Sequence, residues 1–379
     1  MSALNPAIFS FFSGSGFLDL GFENTGYEVV FVNEFHSPFM NAYKHSRKIL
    51  NIKPPLFGYA ECSIEKVSHE EIKSSMAKLK KENRLVGFIG GPPCPDFSVA
   101  GKNKGKDGEN GKLSQSYIDI IVEMKPDFFL FENVKGLYRT SKHRQFFEHL
   151  KTQLKEVGYT LHERLINAIE YGAPQDRERI ILIGFLDEKY PQAFDWSYRV
   201  YPDRSAFNYP WPVSEPFSEG IVKVIPEGIP TELTVEYWFN KNKVNEHPNA
   251  HHVFTARAGL SRFLTVEEGD DSKKSYKRLH RWRYSPTAAY GNNEVHLHPY
   301  KPRRITVAEA LAIQSLPKDF ELPTNMTLSN MFKTVGNGVP YLASAGIAKS
   351  ILKHLGLEHE GHSGEFGTSN LMLTERNLV

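Results

Sequence analysis

The twelve residues 90–101 read Gly90-Gly91-Pro92-Pro93-Cys94-Pro95-Asp96-Phe97-Ser98-Val99-Ala100-Gly101, and they follow an apolar run at residues 85–89. Prolines on both sides of Cys94 fix the backbone φ near about −65° and remove backbone donors, so the thiol is held in a set direction. The paired glycines let the backbone approach another group closely. A rigid turn that presents a lone thiol at the end of a strand predicts a catalytic nucleophile. The alternative is a turn with a buried, inert cysteine, which is the usual state of a free cysteine.

A second segment, Lys125-Pro126-Asp127-Phe128-Phe129-Leu130-Phe131-Glu132-Asn133-Val134, has the pattern of a buried strand that ends in a carboxylate and an amide. Ligands of parallel α/β sheets bind at the carboxyl ends of the strands. If the two segments form neighbouring strands, Cys94 and Glu132 lie side by side at one edge of the sheet. Taken alone, Glu132 is more simply interpreted as an ordinary acid at a strand end. Its combination with the Pro-Pro-Cys turn favours a site.

Strand and helix patterns alternate up to about residue 186. Apolar runs typical of buried strands lie at Ile8–Phe12, Val29–Val32, Leu85–Ile89, Phe128–Phe131 and Ile180–Ile183. Helices are predicted between these strands, including His69–Glu82 and His143–Val157. This alternation predicts an α/β fold with a mostly parallel sheet that is covered on both faces.

The chain changes character after about residue 190, where frequent prolines interrupt any long regular element. We therefore expect an α/β domain at residues 1–188, a smaller irregular domain at 189–300, a return to the first domain at 301–357 and a loosely ordered tail at 358–379. Within the return segment, Thr306 and Glu309 predict a capping box at the start of a helix that extends to Ser315. Residues 341–355 predict a further helix.

The composition is that of an ordinary globular protein, with 40% hydrophobic and 24% charged residues. No apolar run is long enough for a transmembrane helix, and no secretory signal is expected. Two cysteines cannot form a disulfide framework, and no Cys/His spacing predicts a metal site. A reducing cytosol, in which a thiol nucleophile stays reduced, fits this cysteine usage.

The net charge of +2 hides a strong asymmetry along the chain. Residues 241–304 contain 13 Lys or Arg against 6 Asp or Glu, so the rest of the chain is net acidic. Within this region, residues 272–283 carry six basic side chains, no acid, and the aromatic residues Tyr276 and Trp282. A basic patch beside aromatics is typical of binding to a nucleic-acid backbone. The alternative is a solvated surface, which is the usual place for a run of charges.

Six ordered motifs resemble those of the cytosine-5 DNA methyltransferases, which take a methyl group from S-adenosylmethionine. The motifs are the segments Phe9–Gly21, Gly90–Gly101, Phe131–Val134, Tyr171–Arg179, Arg303–Glu309 and Gly336–Pro340. Three positions depart from the family's pattern: Ser10 and Ser63 stand where an Asp is common, and Phe17 stands where a Gly is common. The resemblance implies a Rossmann-like S-adenosylmethionine-dependent methyltransferase fold, with residues 189–300 as a target-recognition domain.

The resemblance also implies a role for each catalytic residue. C5 of cytosine is a poor nucleophile, but addition of the Cys94 thiolate at C6 turns the ring into an enamine whose C5 can attack a methyl sulfonium. Glu132, protonated through a raised pKa, would donate a hydrogen bond or a proton to N3. Arg179 and Arg177 would direct guanidinium groups at O2 and at the thiolate. Without the resemblance, the Arg-Glu-Arg run at 177–179 would also fit a salt-bridged strand start.

S-adenosyl-L-methionine is implied at the first strand and its loop. Phe12 would stack on the adenine, and Gly14 and Gly16 would admit the amino-acid end of the cofactor. Glu34 follows an apolar strand and would bind the two ribose hydroxyls, as acids at this place do in dinucleotide folds. The family resemblance implies further cofactor contacts at Phe35, Ser63, Ile64, Leu113, Asn337 and Val339.

A cytosine inside a duplex hides its C6 face, so the base must be flipped out. The glycine- and lysine-rich residues 101–111 fit a lid that closes on DNA phosphates, with a loop of no function as the alternative. DNA contacts are expected from Ser98, Lys102, Gln175, Lys273, Lys274, Lys277, Arg278, Arg281 and Arg283.

We expect double-stranded DNA as substrate, a monomer, a cytoplasmic bacterial protein at the nucleoid, and a cognate restriction endonuclease as a candidate partner. Two alternatives are left open. An RNA cytosine-5 methyltransferase shares the scaffold but has a short recognition region, whereas residues 189–300 intervene here. A non-catalytic DNA-binding relative is disfavoured because Cys94, Glu132 and both arginines are present.

Overall fold

The computed structural model describes residues 4–92, 109–186, 190, 193–255, 260–273, 275–287, 290 and 296–357. Their strands are β1 Ala7–Phe11, β2 Glu28–Asn33, β3 Tyr59–Ala60, β4 Val86–Gly90, β5 Phe128–Val134, β6 Thr160–Asn167, β7 Glu178–Phe185, β8 Lys277–Arg278 and β9 His296–Leu297. Their α-helices are α1 Phe17–Glu23, α2 Ser37–Ile49, α3 His69–Lys81, α4 Glu109–Met124, α5 Ser141–Glu156, α6 Val235–Lys241, α7 Arg262–Thr265, α8 Val307–Ile313, α9 Leu328–Asn337 and α10 Tyr341–His354. None of these helices is long and apolar enough to cross a membrane.

Seven strands form one sheet in the order β3-β2-β1-β4-β5-β7-β6. Strands β1 to β5 pair in parallel, whereas β7 runs antiparallel to both β5 and β6. The predicted α/β class with a mostly parallel sheet is confirmed. Strands β1 and β4 are buried along their whole length, and separate apolar clusters cover the two faces of the sheet.

Local sequence explains where the main helices begin and end. The Ser68 hydroxyl caps α3, and the Thr140 hydroxyl caps α5. At α8, Thr306 and Glu309 form the predicted capping box, in which each side chain accepts a hydrogen bond from the other residue's backbone. Helix α8 is shorter than expected, because it ends at Ile313.

Strand β6 has no counterpart among the predicted strands. It lies at the edge of the sheet, and its first six residues are only partly buried or exposed. Three consecutive polar residues, His162 to Arg164, interrupt β6, so it lacks the continuous apolar run by which the other strands were recognised.

Helix α10 packs against α1, and residues of α8 and α9 share an apolar cluster with Phe17, Leu20 and Ala42. At Gly21 in α1, an added Cβ would lie 2.5 Å from the Ser344 side-chain carbon and 2.7 Å from a backbone nitrogen, so α1 and α10 pack in direct backbone contact. Residues 190–300 contain only short elements in their described part. Val235, Trp238 and Phe239 of this region share an apolar cluster with α8 and α9, so the irregular region is anchored to the returning helices.

Candidate active site

Glu132 lies near the carboxyl end of β5, next to the end of β4. The two strands are parallel, with Gly90 opposite Phe131. A Cβ added at Gly91 would lie 2.6 Å from Oε2 of Glu132, so the backbone that leads into the Pro-Pro-Cys turn passes directly over the carboxyl group. Cys94 itself, together with Ser98 and Lys102, lies outside the described residues.

Arg179, on the antiparallel strand β7, contacts the Glu132 carboxyl group. Its position opposite Val134 brings Nε to 2.9 Å from Oε1 of Glu132, and both side chains are about nine-tenths buried. Burial raises the pKa of the Glu132 carboxyl above its usual range, although the guanidiniums of Arg179 and Arg177 act in the opposite direction. Oε1 therefore faces an arginine while Oε2 faces the turn, which is the arrangement of an acid that can hold a proton toward a ligand.

Arg177 takes a different place from the one expected. Its buried guanidinium donates to the Gly336 carbonyl at 2.6 Å and to Oε1 of Gln175 at 3.5 Å. Arg177 thus connects the segment that enters β7 to the end of α9, in the last of the recognised motifs. Burial lowers the pKa of this guanidinium. The charge of Arg177 also acts on Glu132, and its expected role in catalysis stays a prediction.

Gln175 does not lie on a surface that DNA could reach. Its side chain has no exposed area, and its amide nitrogen donates to the Ile313 carbonyl at 3.3 Å. The expected DNA contact of this side chain is therefore corrected. Gln175 fastens the Tyr171–Arg179 segment to α8, and sequence could not separate the two roles because glutamine serves in both.

Glu34 follows β2 at the same edge of the sheet and shapes the loop after β1. Its Oε2 accepts from the Gly14 amide at 2.8 Å and its Oε1 from the His36 amide at 2.7 Å. Burial raises the pKa of the Glu34 carboxyl, while the hydrogen bonds from His36 and Gly14 lower it. The carboxylate accepts from three backbone amides, those of Gly14, His36 and Phe35, and its two oxygens offer about four acceptor positions, so it can still accept from a hydroxyl group of a ligand.

The backbone conformation of the loop after β1 allows a ligand to approach it closely. Phe12, Gly14 and Gly16 all have positive φ, and the Phe12 ring meets Tyr117 edge to face. A Cβ at Gly14 would meet no atom within 4 Å, so open space lies beside this backbone. Phe35, directly after Glu34, is 72% exposed. An exposed aromatic ring beside a carboxylate and an open loop is suited to a purine nucleoside.

The other cofactor candidates differ in what they can offer. Ser63 precedes a 3-10 helix over 64–66 and contacts Glu65 through its hydroxyl, whereas the Ile64 side chain is buried in the core. Leu113 is partly buried on α4. Asn337 is exposed at the end of α9, and Val339 is buried. Ile64 and Val339 can therefore contact a ligand mainly through their backbones.

Three residues that sequence reasoning did not single out, Arg47, Glu23 and Asp19, help to hold the same loop. The fully buried Arg47 on α2 donates to the Gly16 carbonyl at 2.8 Å and pairs with Glu23 at 2.8 Å. Ser10 donates to the buried Asp19 at 2.9 Å, and burial raises the pKa of Asp19 to about 6. A basic residue near a helix end is usually a surface feature, so the pattern gave no signal for Arg47.

The basic stretch at 273–283 separates into two groups. Lys273 is exposed and Lys277 is partly buried, so both remain candidates for DNA contact, and Lys274 lies outside the described residues. Arg278, by contrast, has no exposed area and donates to the carbonyls of Val266 at 2.8 Å and His298 at 2.6 Å, and also to that of Phe263. The expected DNA contact of Arg278 is therefore corrected to a structural role.

Arg281 and Arg283 are also bound within the irregular region. Arg281 is buried and holds Glu268 through two nitrogens at 2.8 and 2.9 Å, so its expected DNA contact is corrected as well. Arg283 is partly buried and donates to the Gly269 carbonyl at 2.7 Å. Burial disfavours the charge of Glu268, but its hydrogen bonds from Arg281 outweigh burial and lower its pKa.

One group of side chains in the described part of the chain has the spacing of a metal site. Ligand atoms of Glu215, Glu268 and His280 converge within 4.8 Å. However, the ammonium group of Lys223 lies 2.6 Å from Glu215 and 3.2 Å from Glu268, and Arg281 also pairs with Glu268. The cluster is neutralised by protein cations, and we interpret it as an ion-pair network.

Comparison with known proteins agrees with this geometry. The family model of C-5 cytosine-specific DNA methylases matches residues 7–353. Over 360 residues, the chain is 62% identical to a Type II methyltransferase, M.NmeDI, of Neisseria meningitidis serogroup C, covering 93% of this chain and 85% of the relative. It is 29% identical to the Type II methyltransferase M.MthTI of Methanothermobacter thermautotrophicus, covering 93% of this chain and 98% of that relative.

Among solved structures, a prophage-encoded DNA modification methyltransferase from E. coli has a TM-score of 0.67 at 22% identity, covering 93% of this chain and all of that one. At this identity the likeness supports the fold. The function is established by the family match over nearly the whole chain and by the 62% identical relative. The chain therefore belongs to the C-5 cytosine-specific DNA methylase family, and it is a DNA (cytosine-5)-methyltransferase.

Proposed function

We propose that this enzyme transfers the methyl group of S-adenosyl-L-methionine to a cytosine that is flipped out of one specific duplex DNA sequence, with Cys94 as the nucleophile. The observation that carries the assignment of the site is the buried Glu132–Arg179 pair under the backbone that leads to Cys94. This pair gives an acid of raised pKa a fixed direction at the edge of the sheet where ligands of α/β proteins bind.

The residues around Glu34 suit S-adenosyl-L-methionine. The Glu34 carboxylate has acceptor capacity for ribose hydroxyls, the Phe35 ring is exposed for stacking, and open space lies beside Gly14. When bound, the cofactor supplies an electrophilic methyl group on a sulfonium. Ser63 and Asn337 would add polar contacts, while Ile64, Leu113 and Val339 would shape the pocket.

The chain's own residues would carry the remaining chemistry. The Cys94 thiolate adds to C6 of the cytosine and forms a carbon–sulfur bond, and the ring electrons shift toward N3. Oε2 of protonated Glu132 faces the turn and holds its proton at N3, which lowers the energy of this charge. Arg179 keeps Oε1 occupied and fixes the carboxyl plane. After methylation, the C5 proton passes to water, its bonding electrons form the C5–C6 double bond, and the C6–sulfur bond breaks, which releases the Cys94 thiolate and restores the aromatic ring.

Sequence recognition would come from the irregular region at 189–300. Arg278 and Arg281 stiffen this region from inside through carbonyl and carboxylate partners. Lys273, Lys274 and Lys277 would contact the DNA backbone, and Ser98 and Lys102 would do so from the turn and the lid. The Type II name of the 62% identical relative supports a modification enzyme that protects the site of a cognate restriction endonuclease. We further propose that the enzyme acts as a monomer.

The proposal is tested by methyl transfer from tritium-labelled S-adenosyl-L-methionine to duplex DNA and to transfer RNA in parallel. We expect transfer to DNA only, and bisulfite sequencing of the product should show 5-methylcytosine at one position of a short repeated sequence. Transfer confined to RNA, or methylation scattered over all cytosines, would contradict the proposed substrate.

A further inference from the structure

A cleft of about 620 Å³ lies directly beside the Glu132–Arg179 ion pair, which we call the catalytic pair. Its lining includes Lys135, Arg139 and Arg144 on one side, Asp176 and Arg179 at the base, and Thr287 of the irregular region opposite. We call it the arginine cleft. Because Arg179 both lines the cleft and contacts Glu132, the cleft opens next to the carboxyl group that would face the target base.

The arginine cleft is positively charged. Residues 135–147 contain four Lys or Arg and no acid. The two acids that line the cleft are already engaged, since Asp176 accepts from the Asn167 amide at 2.6 Å and Glu178 pairs with Lys135 at 2.6 Å and Arg204 at 3.3 Å. The lining has four Lys or Arg against these two acids, so the cleft keeps a net positive charge.

Arg139 and Arg144 are the exposed cations of this cleft. Within the described ranges Arg139 has no acidic partner, and Nε of Arg144 donates to the Tyr138 carbonyl at 2.7 Å. That bond uses Nε, so it leaves the two terminal nitrogens of Arg144 able to donate to a ligand. Guanidinium groups bind phosphate oxygens through two parallel hydrogen bonds, and they retain their charge at any working pH.

A flipped cytosine remains attached to its sugar and to the phosphates on either side. A base placed against Glu132 must therefore bring its own backbone to the rim of the catalytic site, where the arginine cleft begins. The Thr287 hydroxyl donates to the Asp176 carbonyl at 2.6 Å and closes the opposite wall, so the backbone would run between the two domains.

We propose that Arg139 and Arg144 bind the phosphates that flank the target cytosine and thereby hold the flipped nucleotide. This inference rests on the proposed function, because it needs DNA with a flipped base. Arg139 and Arg144 are exposed basic groups beside the catalytic pair, whereas Arg278 and Arg281 of the irregular region are buried.

The test uses the double variant Arg139→Gln/Arg144→Gln and a duplex that carries the methylated sequence. A matched control, Lys80→Gln/Lys81→Gln, removes two exposed cations in the last turn of α3. This turn precedes the start of β4, so it lies near the amino-terminal ends of the parallel strands, away from the catalytic residues at their carboxyl ends. DNA affinity is measured by fluorescence anisotropy over a range of salt concentrations. The double variant should lower the log–log salt slope by about 1.8, at about 0.9 for each phosphate that the protein no longer neutralises, whereas the control should retain the wild-type slope.

A second duplex carries neutral methylphosphonates in place of the two phosphates that flank the target cytosine, and it tests whether these are the phosphates that Arg139 and Arg144 bind. The wild type and the control should bind the modified duplex more weakly than the unmodified one, whereas the double variant should bind the two duplexes equally. An equal weakening in all three proteins, or a wild-type slope in the double variant, would overturn the inference. Binding of S-adenosylhomocysteine should be unchanged in both variants, and methyl transfer by the wild type separately reports whether the proposed function holds.

Discussion

Replacing Glu34 with alanine tests the proposed ribose contact. The carboxylate accepts from the amides of Gly14 and His36, so the variant loses the proposed ribose bonds, the Gly14 bond that shapes the loop after β1, and the His36 bond at the start of α2. Hydrogen bonds to a charged group contribute about 1.5–3 kcal/mol each. We therefore expect S-adenosyl-L-methionine affinity to fall by at least about tenfold, the equivalent of about 1.4 kcal/mol.

A loss of affinity alone does not separate the ribose contact from a distorted loop. Titration calorimetry with S-adenosylhomocysteine and its 2′-deoxy analogue makes the distinction. The wild type should bind the deoxy analogue more weakly, because one hydroxyl contact is missing, whereas the Glu34→Ala variant should bind the two ligands equally. If the variant discriminates between them as strongly as the wild type does, Glu34 does not contact the ribose.

Three further predictions concern the acid, the loop and the irregular region. Glu132→Gln should lower the rate of methyl transfer by about 10²–10⁴ with unchanged cofactor affinity. Wild-type methyl transfer should also fall as pH rises through the raised pKa of Glu132. A variant whose transfer rate is within threefold of the wild-type rate would argue against Glu132 as the acid. The pKa of Asp19 is about 6 in the folded chain against 3.8 as its ordinary value, so the native state binds this proton more tightly and its stabilising effect is lost as pH rises. Between pH 4 and pH 7 the wild type should therefore lose about 2 kcal/mol of unfolding free energy relative to Asp19→Asn, and parallel curves in urea titrations would contradict this. Arg278→Met should lower the free energy of unfolding by about 3 kcal/mol or more, because several buried carbonyls lose their donor, whereas exposed Lys273→Met should change it by less than about 0.5 kcal/mol; equal effects would refute the structural role.

Much of the sheet and the catalytic edge followed from the sequence. Continuous apolar runs identified β1, β2, β4, β5 and β7, because strands buried on both faces contain few polar residues. The places of Glu132 and Glu34 at strand ends followed from the same pattern. Strand β6 was missed because the polar residues 162–164 interrupt its apolar pattern, and its antiparallel pairing with β7 has no local signal.

The roles of the basic residues were harder to predict. Arg278 lies in a run that has the composition of a DNA-binding patch, but its partners are carbonyls as distant along the chain as Phe263 and His298. Such contacts depend on the path of an irregular chain, which no periodic pattern encodes. Gln175 is similar, since its partner Ile313 is brought close only by the return of the last segment. Charge and residue type predicted the chemistry of these groups but not their burial.

Covalent capture by Cys94 is the central claim, and a suicide substrate tests it most directly. Duplex DNA with 5-fluorocytosine at the methylated position lets the thiol add and the methyl group transfer, but fluorine cannot leave as the C5 proton does. With S-adenosyl-L-methionine, the wild type should form a complex that survives denaturing electrophoresis, with Cys94 as the modified residue in mass spectrometry, and Cys94→Ala should form none. A covalent complex of Cys94→Ala, or a wild-type adduct on another residue, would contradict the account.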